Sequence, residues 1–147
     1  MAAAQSDVAL LKRLKQEVLL TEDPEDLIEQ FNRYDGTICD FITSNDHISS
    51  SVLAESQYRA FGSPFLDLEA FDLSQCPEEL LKPELIEKHQ VLPLIARGAR
   101  LSIATSDPAK FDVFDEIKFA TGLGIDVITA EHDKLKRAIE TYLRKAD

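Results

Sequence analysis

The chain has 147 residues, 44% hydrophobic and 29% charged, the composition of a globular domain or two small ones with enough length to bury a core. Its formal net charge of −11 is shared between residues 1–62 (5 basic, 11 acidic) and residues 63–147 (11 basic, 16 acidic), which argues against nucleic-acid binding because phosphate backbones are repelled. No run of about 20 apolar residues is present for membrane insertion, and Met1-Ala2-Ala3-Ala4-Gln5-Ser6-Asp7 lacks the basic start and apolar stretch of a signal peptide.

In chain order, Val8, Leu11, Leu14 and Val18 fall near one face of a helix predicted over 8–18. Asp23-Pro24 is a strong helix start, the aspartate capping and the proline fitting the first helical position. Leu27, Ile28, Phe31 and Tyr34 then give an amphipathic repeat that Asp35-Gly36 ends. A short helix is expected through Ile38, Phe41 and Ile42, broken by Ser44-Asn45-Asp46. A fourth should open in Ser49-Ser50-Ser51 and stop at Phe61-Gly62. The composition changes at Gly62-Ser63-Pro64. Phe65–Leu68 is predicted as a short strand, and Cys76-Pro77-Glu78 and Lys82-Pro83-Glu84 as two helix openings.

Val91–Ile95 and Leu101–Ala104 are predicted strands, made a hairpin by Arg97-Gly98-Ala99-Arg100. Ser106 or Asp107 should cap a helix from Pro108, with Phe111, Phe114 and Ile117 inward. Ile125–Thr129 returns as a strand, reached by a right-handed crossover from the strand at Leu101. Leu135, Ala138, Ile139, Tyr142 and Leu143 mark the last helix. The expected fold class is α+β: a four-helix subdomain over 1–62, then a small α/β layer over 63–147 with helices on one side of a short mixed sheet.

No phosphate-cradling loop, nucleophile elbow, H-E-x-x-H or C-x-x-C occurs, and His47, His89 and His132 are scattered. The residues therefore show no catalytic and no metal centre. His89 should cap the preceding helix or face solvent, and Asp112, Asp115 and Glu116 should form a solvated acidic face. Gly122-x-Gly124 follows a helix and reads as a helix stop. Cys39 reads as a small core residue. With no motif around Cys39 or Cys76, both read as reduced thiols of a cytoplasmic chain.

The string His89-Gln90-Val91-Leu92-Pro93-Leu94, Arg97-Gly98, Ser106-Asp107-Pro108 and Asp115-Glu116-Ile117-Lys118-Phe119-x-Thr121-Gly122 resembles the N-terminal domain of secretion-type ATPases. Phe61-Gly62-x-Pro64-Phe65-x-Asp67-Leu68 belongs to the same pattern. The resemblance spans nearly the whole chain and is strongest over 61–143. It is greatest to the type IV pilus extension ATPases of the PilB type, ahead of their type II secretion counterparts.

The resemblance implies a non-catalytic regulatory and docking domain, placed ahead of a hexameric motor at the inner face of the inner membrane. That motor, absent here, would hold ATP and Mg; this chain itself would carry no cofactor. Related domains bind cyclic di-GMP through two tandem motifs opening with Arg-Leu-Gly. Here the first copy reads Arg13-Leu14-Lys15. The second begins at Thr37 as Thr37-Ile38-Cys39, with Asp46 and Ala60 at the later glycine and closing glutamine. An arginine pairs with guanine or phosphate and a glycine admits close backbone approach, so these losses disfavour the nucleotide.

The implied partner is then a PilZ-type adaptor or a pilus inner-membrane platform protein. Phe31, Tyr34, Phe41, Ile42 and Tyr58 are the candidate contact residues, and each would serve equally to fill a core. The alternatives are a cyclic di-GMP sensor and the type II secretion counterpart.

Overall fold

In the computed structural model, which describes residues 3–145, the chain forms seven α-helices and one three-stranded sheet. The readings made on Met1-Ala2 and Ala146-Asp147 lie outside the described residues. The helical half holds α1 (Gln5–Gln16), α2 (Pro24–Phe31), α3 (Ile38–Ser44) and α4 (Ser50–Phe61). The second half holds α5 (Pro83–His89), β1 (Val91–Arg97), β2 (Arg100–Thr105), α6 (Phe111–Thr121), β3 (Gly124–Thr129) and α7 (His132–Lys145). The α+β architecture is as expected.

The helix starts follow from local chemistry. Asp23 accepts from the Glu25 amide ahead of Pro24, Thr37 accepts from the Asp40 amide, and Ser49 accepts from the Val52 amide. Gly62 and Gly122 end α4 and α6 in the left-handed conformation. Leu10, Leu11, Leu14, Leu27, Phe31, Ile38, Phe41 and Ile42 fill one core, and a second lies around the sheet.

The helical half is a repeated hairpin. After α1, the amides of Glu17, Val18 and Leu19 bond to the carbonyls of Arg13, Lys15 and Leu14. After α3, those of Asn45, Asp46 and His47 bond to Phe41, Thr43 and Ile42 in the same pattern. The turn residues that permit this, Val18 (φ 61°) and Asp46 (φ 60°), both lie in the left-handed region. Aspartate tolerates it, whereas a β-branched side chain clashes there. Val18 is therefore not on the inner face of α1 as its spacing predicts; it stands 86% exposed beyond the helix end. Val18→Gly should stabilise the fold by about 1 kcal/mol, the relief of left-handed strain less the extra freedom of unfolded glycine. A urea midpoint that stays put or falls would refute this.

β1 and β2 pair antiparallel and β2 and β3 pair parallel, in the order β1-β2-β3. Pro93 sits in edge strand β1 beside a bulge, because the register moves from Pro93↔Ile103 to Ile95↔Ser102 and leaves Leu94 extra.

Four expectations in this half are corrected. Phe65 makes a single parallel bridge to Thr129, because Asp67 bonds the Glu69 amide and turns the chain into a 3₁₀ turn at Leu68–Ala70. No helix opens at Pro77: Lys82 is extended ahead of Pro83, too few residues remain, and Glu79 is left-handed. The Pro108 helix is delayed to Phe111. Asp107 caps only the Ala109 amide, and Lys110 is not helical. That delay turns Phe111 outward, 64% exposed, while Phe114 and Ile117 are buried as expected.

Candidate functional site

The two halves meet on a buried polar seam. From α3, Asp40 Oδ1 lies 3.0 Å from His132 Nε2, and His132 Nδ1 lies 2.8 Å from the Ser106 hydroxyl. A carboxylate only accepts, so Nε2 carries the proton; in a neutral ring, Nδ1 accepts from Ser106. Lys136 Nζ donates to the same Asp40 oxygen at 3.0 Å, and the Tyr34 hydroxyl donates to the other. The bond from His132, then those from Tyr34 and Lys136, hold the Asp40 carboxyl well below the usual carboxylate range. Burial, and then its bond to Asp40, push the Tyr34 hydroxyl up to about 12.

A second group of contacts runs alongside. The Ser106 carbonyl accepts from Gln57 Nε2 at 3.0 Å and from the Cys39 thiol at 3.7 Å. Lys110 Nζ donates to Asp7 Oδ1 at 2.6 Å and to Ser6 Oγ at 3.1 Å. Asp107 lies buried among these, and burial raises its carboxyl to about 6. Burial likewise raises the Cys39 thiol far above its ordinary value, so it is a poor nucleophile. The seam's chemistry is cohesion between halves.

Leu14 is fully buried. Thr37 caps α3. Arg13 donates to Gln57 Oε1 and Ser56 Oγ, lies 3.6 Å from Glu17 Oε2, and places its guanidinium 5.3 Å from the Phe61 ring centre. It is consumed within the fold. Of the five partner candidates, Phe31, Phe41 and Ile42 are core residues, which corrects the contact reading for them: a side chain under 6% exposed cannot meet a partner at the surface. Tyr34 is half-buried, its ring edge-on to Phe41 at 5.2 Å, after rather than within α2. Tyr58 stands 49% exposed. Sequence reasoning missed Phe119, the most exposed large apolar side chain at 93%. Helical spacing from buried Phe114 and Ile117 carried that signal.

A cleft of about 660 Å³ opens between the end of α2, the start of α3, α5 and the start of α6. Its walls carry six carboxylates against three lysines, Lys88, Lys110 and Lys136. Asp7 and Asp40 already hold the latter two. His89 bonds Glu116 at 3.1 Å, while Asp112 and Asp115 face outward with it as the solvated acidic surface expected.

Residues 61–147 match the MshEN domain family. The chain belongs to that family. The PilB type IV pilus assembly ATPase of Acinetobacter baylyi is 31% identical over 133 residues, 90% of this chain and 23% of the relative. That of Pseudomonas aeruginosa is 34% identical over 99 residues, 67% of this chain and 18% of the relative. The chain thus spans under a quarter of the relatives it matches. By fold, this MshEN domain is similar to the N-terminal domain of XpsE (TM-score 0.73, 19% identity, 97% of this chain and 99% of that one). It is also similar to MshE solved with cyclic di-GMP (TM-score 0.62, 21% identity, 90% of this chain and 97% of that one). The chain is thus an MshEN-family domain similar to part of the PilB pilus assembly ATPases, with the fold of the XpsE N-terminal domain. Among its described residues, no helix is long and apolar enough to cross a membrane.

Proposed function

We propose that this MshEN domain is a non-catalytic docking domain of a cytoplasmic type IV pilus extension ATPase. In this reading it binds a PilZ-type adaptor or an inner-membrane platform protein and so controls pilus assembly. One observation carries the reading: the fold spends its ligand-motif positions on itself. Arg13 is held by Gln57, Ser56 and Glu17, Leu14 is core and Thr37 is a helix cap. A dianionic nucleotide finds no free arginine there, and the neighbouring cleft has twice as many carboxylates as lysines.

The second reading, a cyclic di-GMP sensor, rests on the fold shared with MshE, whose structure was solved with that ligand. Calorimetry separates the two. Cyclic di-GMP at several hundred micromolar is expected to give no saturable heat, and a saturable isotherm would overturn the docking reading in favour of the sensor. The docking role is checked with purified PilZ-type and platform proteins from the same source. Co-elution with at least one is expected, and failure of both counts against the role.

A further inference from the structure

Helix α6 buries Val113, Phe114 and Ile117 against the sheet. At 100° per residue, the opposite face presents Phe111, Asp112, Asp115, Glu116 and Phe119, with Lys118 at its edge beside Phe111, all exposed. The two phenylalanines, 64% and 93% exposed, stand eight residues apart, about 12 Å along the axis. Three carboxylates lie between and beside them, and only Glu116 has a bonded partner, His89, among the described residues. Rings this exposed add almost nothing to the fold, so an aromatic pair framed by acids is the signature of a contact surface.

Charge decides the occupant. A second copy would bring the same acidic face and another −11, and lipid headgroups or nucleic acid would bring phosphates; all three are repelled. What complements the face is an amphipathic helix with apolar side chains one to two turns apart and lysine or arginine beside them. We propose that the outer face of α6 docks such a basic amphipathic helix of a protein partner. Its apolar anchors pack on Phe111 and Phe119 and its cations meet Asp112 and Asp115. This gives the docking role above a face and a partner chemistry, and in the cell it rests on that reading. The contact belongs to the weak, rapidly exchanging class, since the patch is small.

The test uses a synthetic 18-residue helical peptide with leucines along one side and lysines flanking them, and its glutamate-for-lysine counterpart. The ¹⁵N-labelled chain titrated with the lysine peptide should show shifts confined to 111–121 that 0.5 M salt weakens severalfold. The glutamate peptide should give none. Phe119→Ser removes an exposed ring and leaves the fold intact; it should cut affinity about tenfold. The double variant D112K/D115K should reverse the preference between the two peptides.

Shifts centred elsewhere, or full binding by Phe119→Ser, would overturn the proposal. So would sedimentation showing a dimer that Phe119→Ser dissolves, since the occupant would then be a second copy. An adaptor or platform complex that survives Phe119→Ser removes this face while the docking role stands. Absence of either complex in the wild type, with the peptide response intact, counts against the role and not the face.

Discussion

Asp107→Asn is expected to raise the urea midpoint at pH 8 and to leave it almost unchanged at pH 4. Asp107 is 7% exposed, with Oδ1 accepting from the Ala109 amide at 3.3 Å and Oδ2 bonded by no protein donor. The charges around it are Lys110, Asp7 and Arg13, but burial outweighs them and raises its carboxyl from 3.8 to about 6. The sign follows from linkage. A carboxyl whose folded value is raised contributes stability that is complete below its unfolded value, near 4, and is lost as pH climbs through 6. The rise from 3.8 to about 6, in which the attraction of Lys110 and Arg13 is already included, corresponds to about 3 kcal/mol at pH 8. Asparagine keeps an oxygen for the Ala109 amide and carries no charge at any pH. Wild type and variant should therefore diverge between pH 4 and 7. Parallel stability profiles across that range would show that Asp107 does not titrate there.

His132→Ala should cost about 3 kcal/mol, among the largest effects of any single change on the seam. The imidazole is 2% exposed and ties Asp40 of α3 to Ser106 at the end of β2. Its loss leaves a cavity, an unpartnered hydroxyl and a carboxylate held only by Lys136, Tyr34 and local bonds. The pH signature distinguishes the bond from mere volume. The depressed Asp40 carboxyl contributes stability above its ordinary value of 3.8, and this is lost as pH falls toward its folded value. Because the His132 bond is the largest cause of that depression, the variant should lose part of this acid-side contribution. Its stability should also become less sensitive to pH below 4. Urea denaturation from pH 2 to 8 reads both effects. A loss under 1 kcal/mol with an unchanged acid limb would place the bond outside the stability of the seam.

The legible parts of the chain are those where a local rule and the packed fold agree. The period from Leu135 to Tyr142 marks α7, and Leu135, Ala138, Ile139 and Tyr142 are buried as it requires. The Gly98 turn makes the β1–β2 hairpin, and Asp23-Pro24 starts α2 where the caps place it. Several misses arise where a side chain is taken by a distant partner or a neighbouring turn. Pro108 does not open α6 because Asp107 closes a turn and Lys110 reaches back to Asp7. Tyr34 continues the apolar period of α2 but leaves the helix to bond Asp40. The candidate site fared worse than the fold: three of the five aromatic and aliphatic contact candidates are core, and among the described residues the most exposed large apolar side chain is Phe119 on α6.

By itself, the sequence determined the family, the order of the main helices and strands and the net acidity of the chain. These rest on short-range signals, namely caps, turns, periodicity and composition, which need no neighbour to be read. Only the tertiary structure decided which apolar residues remain outside, where Arg13 is spent, and that the two halves are joined by Asp40, Ser106 and His132. Those partners stand 26 and 92 residues apart, and no local pattern encodes a contact made by closing so long a loop. The physical reason is burial itself: whether an amphipathic position is core or surface depends on what the rest of the chain brings against it.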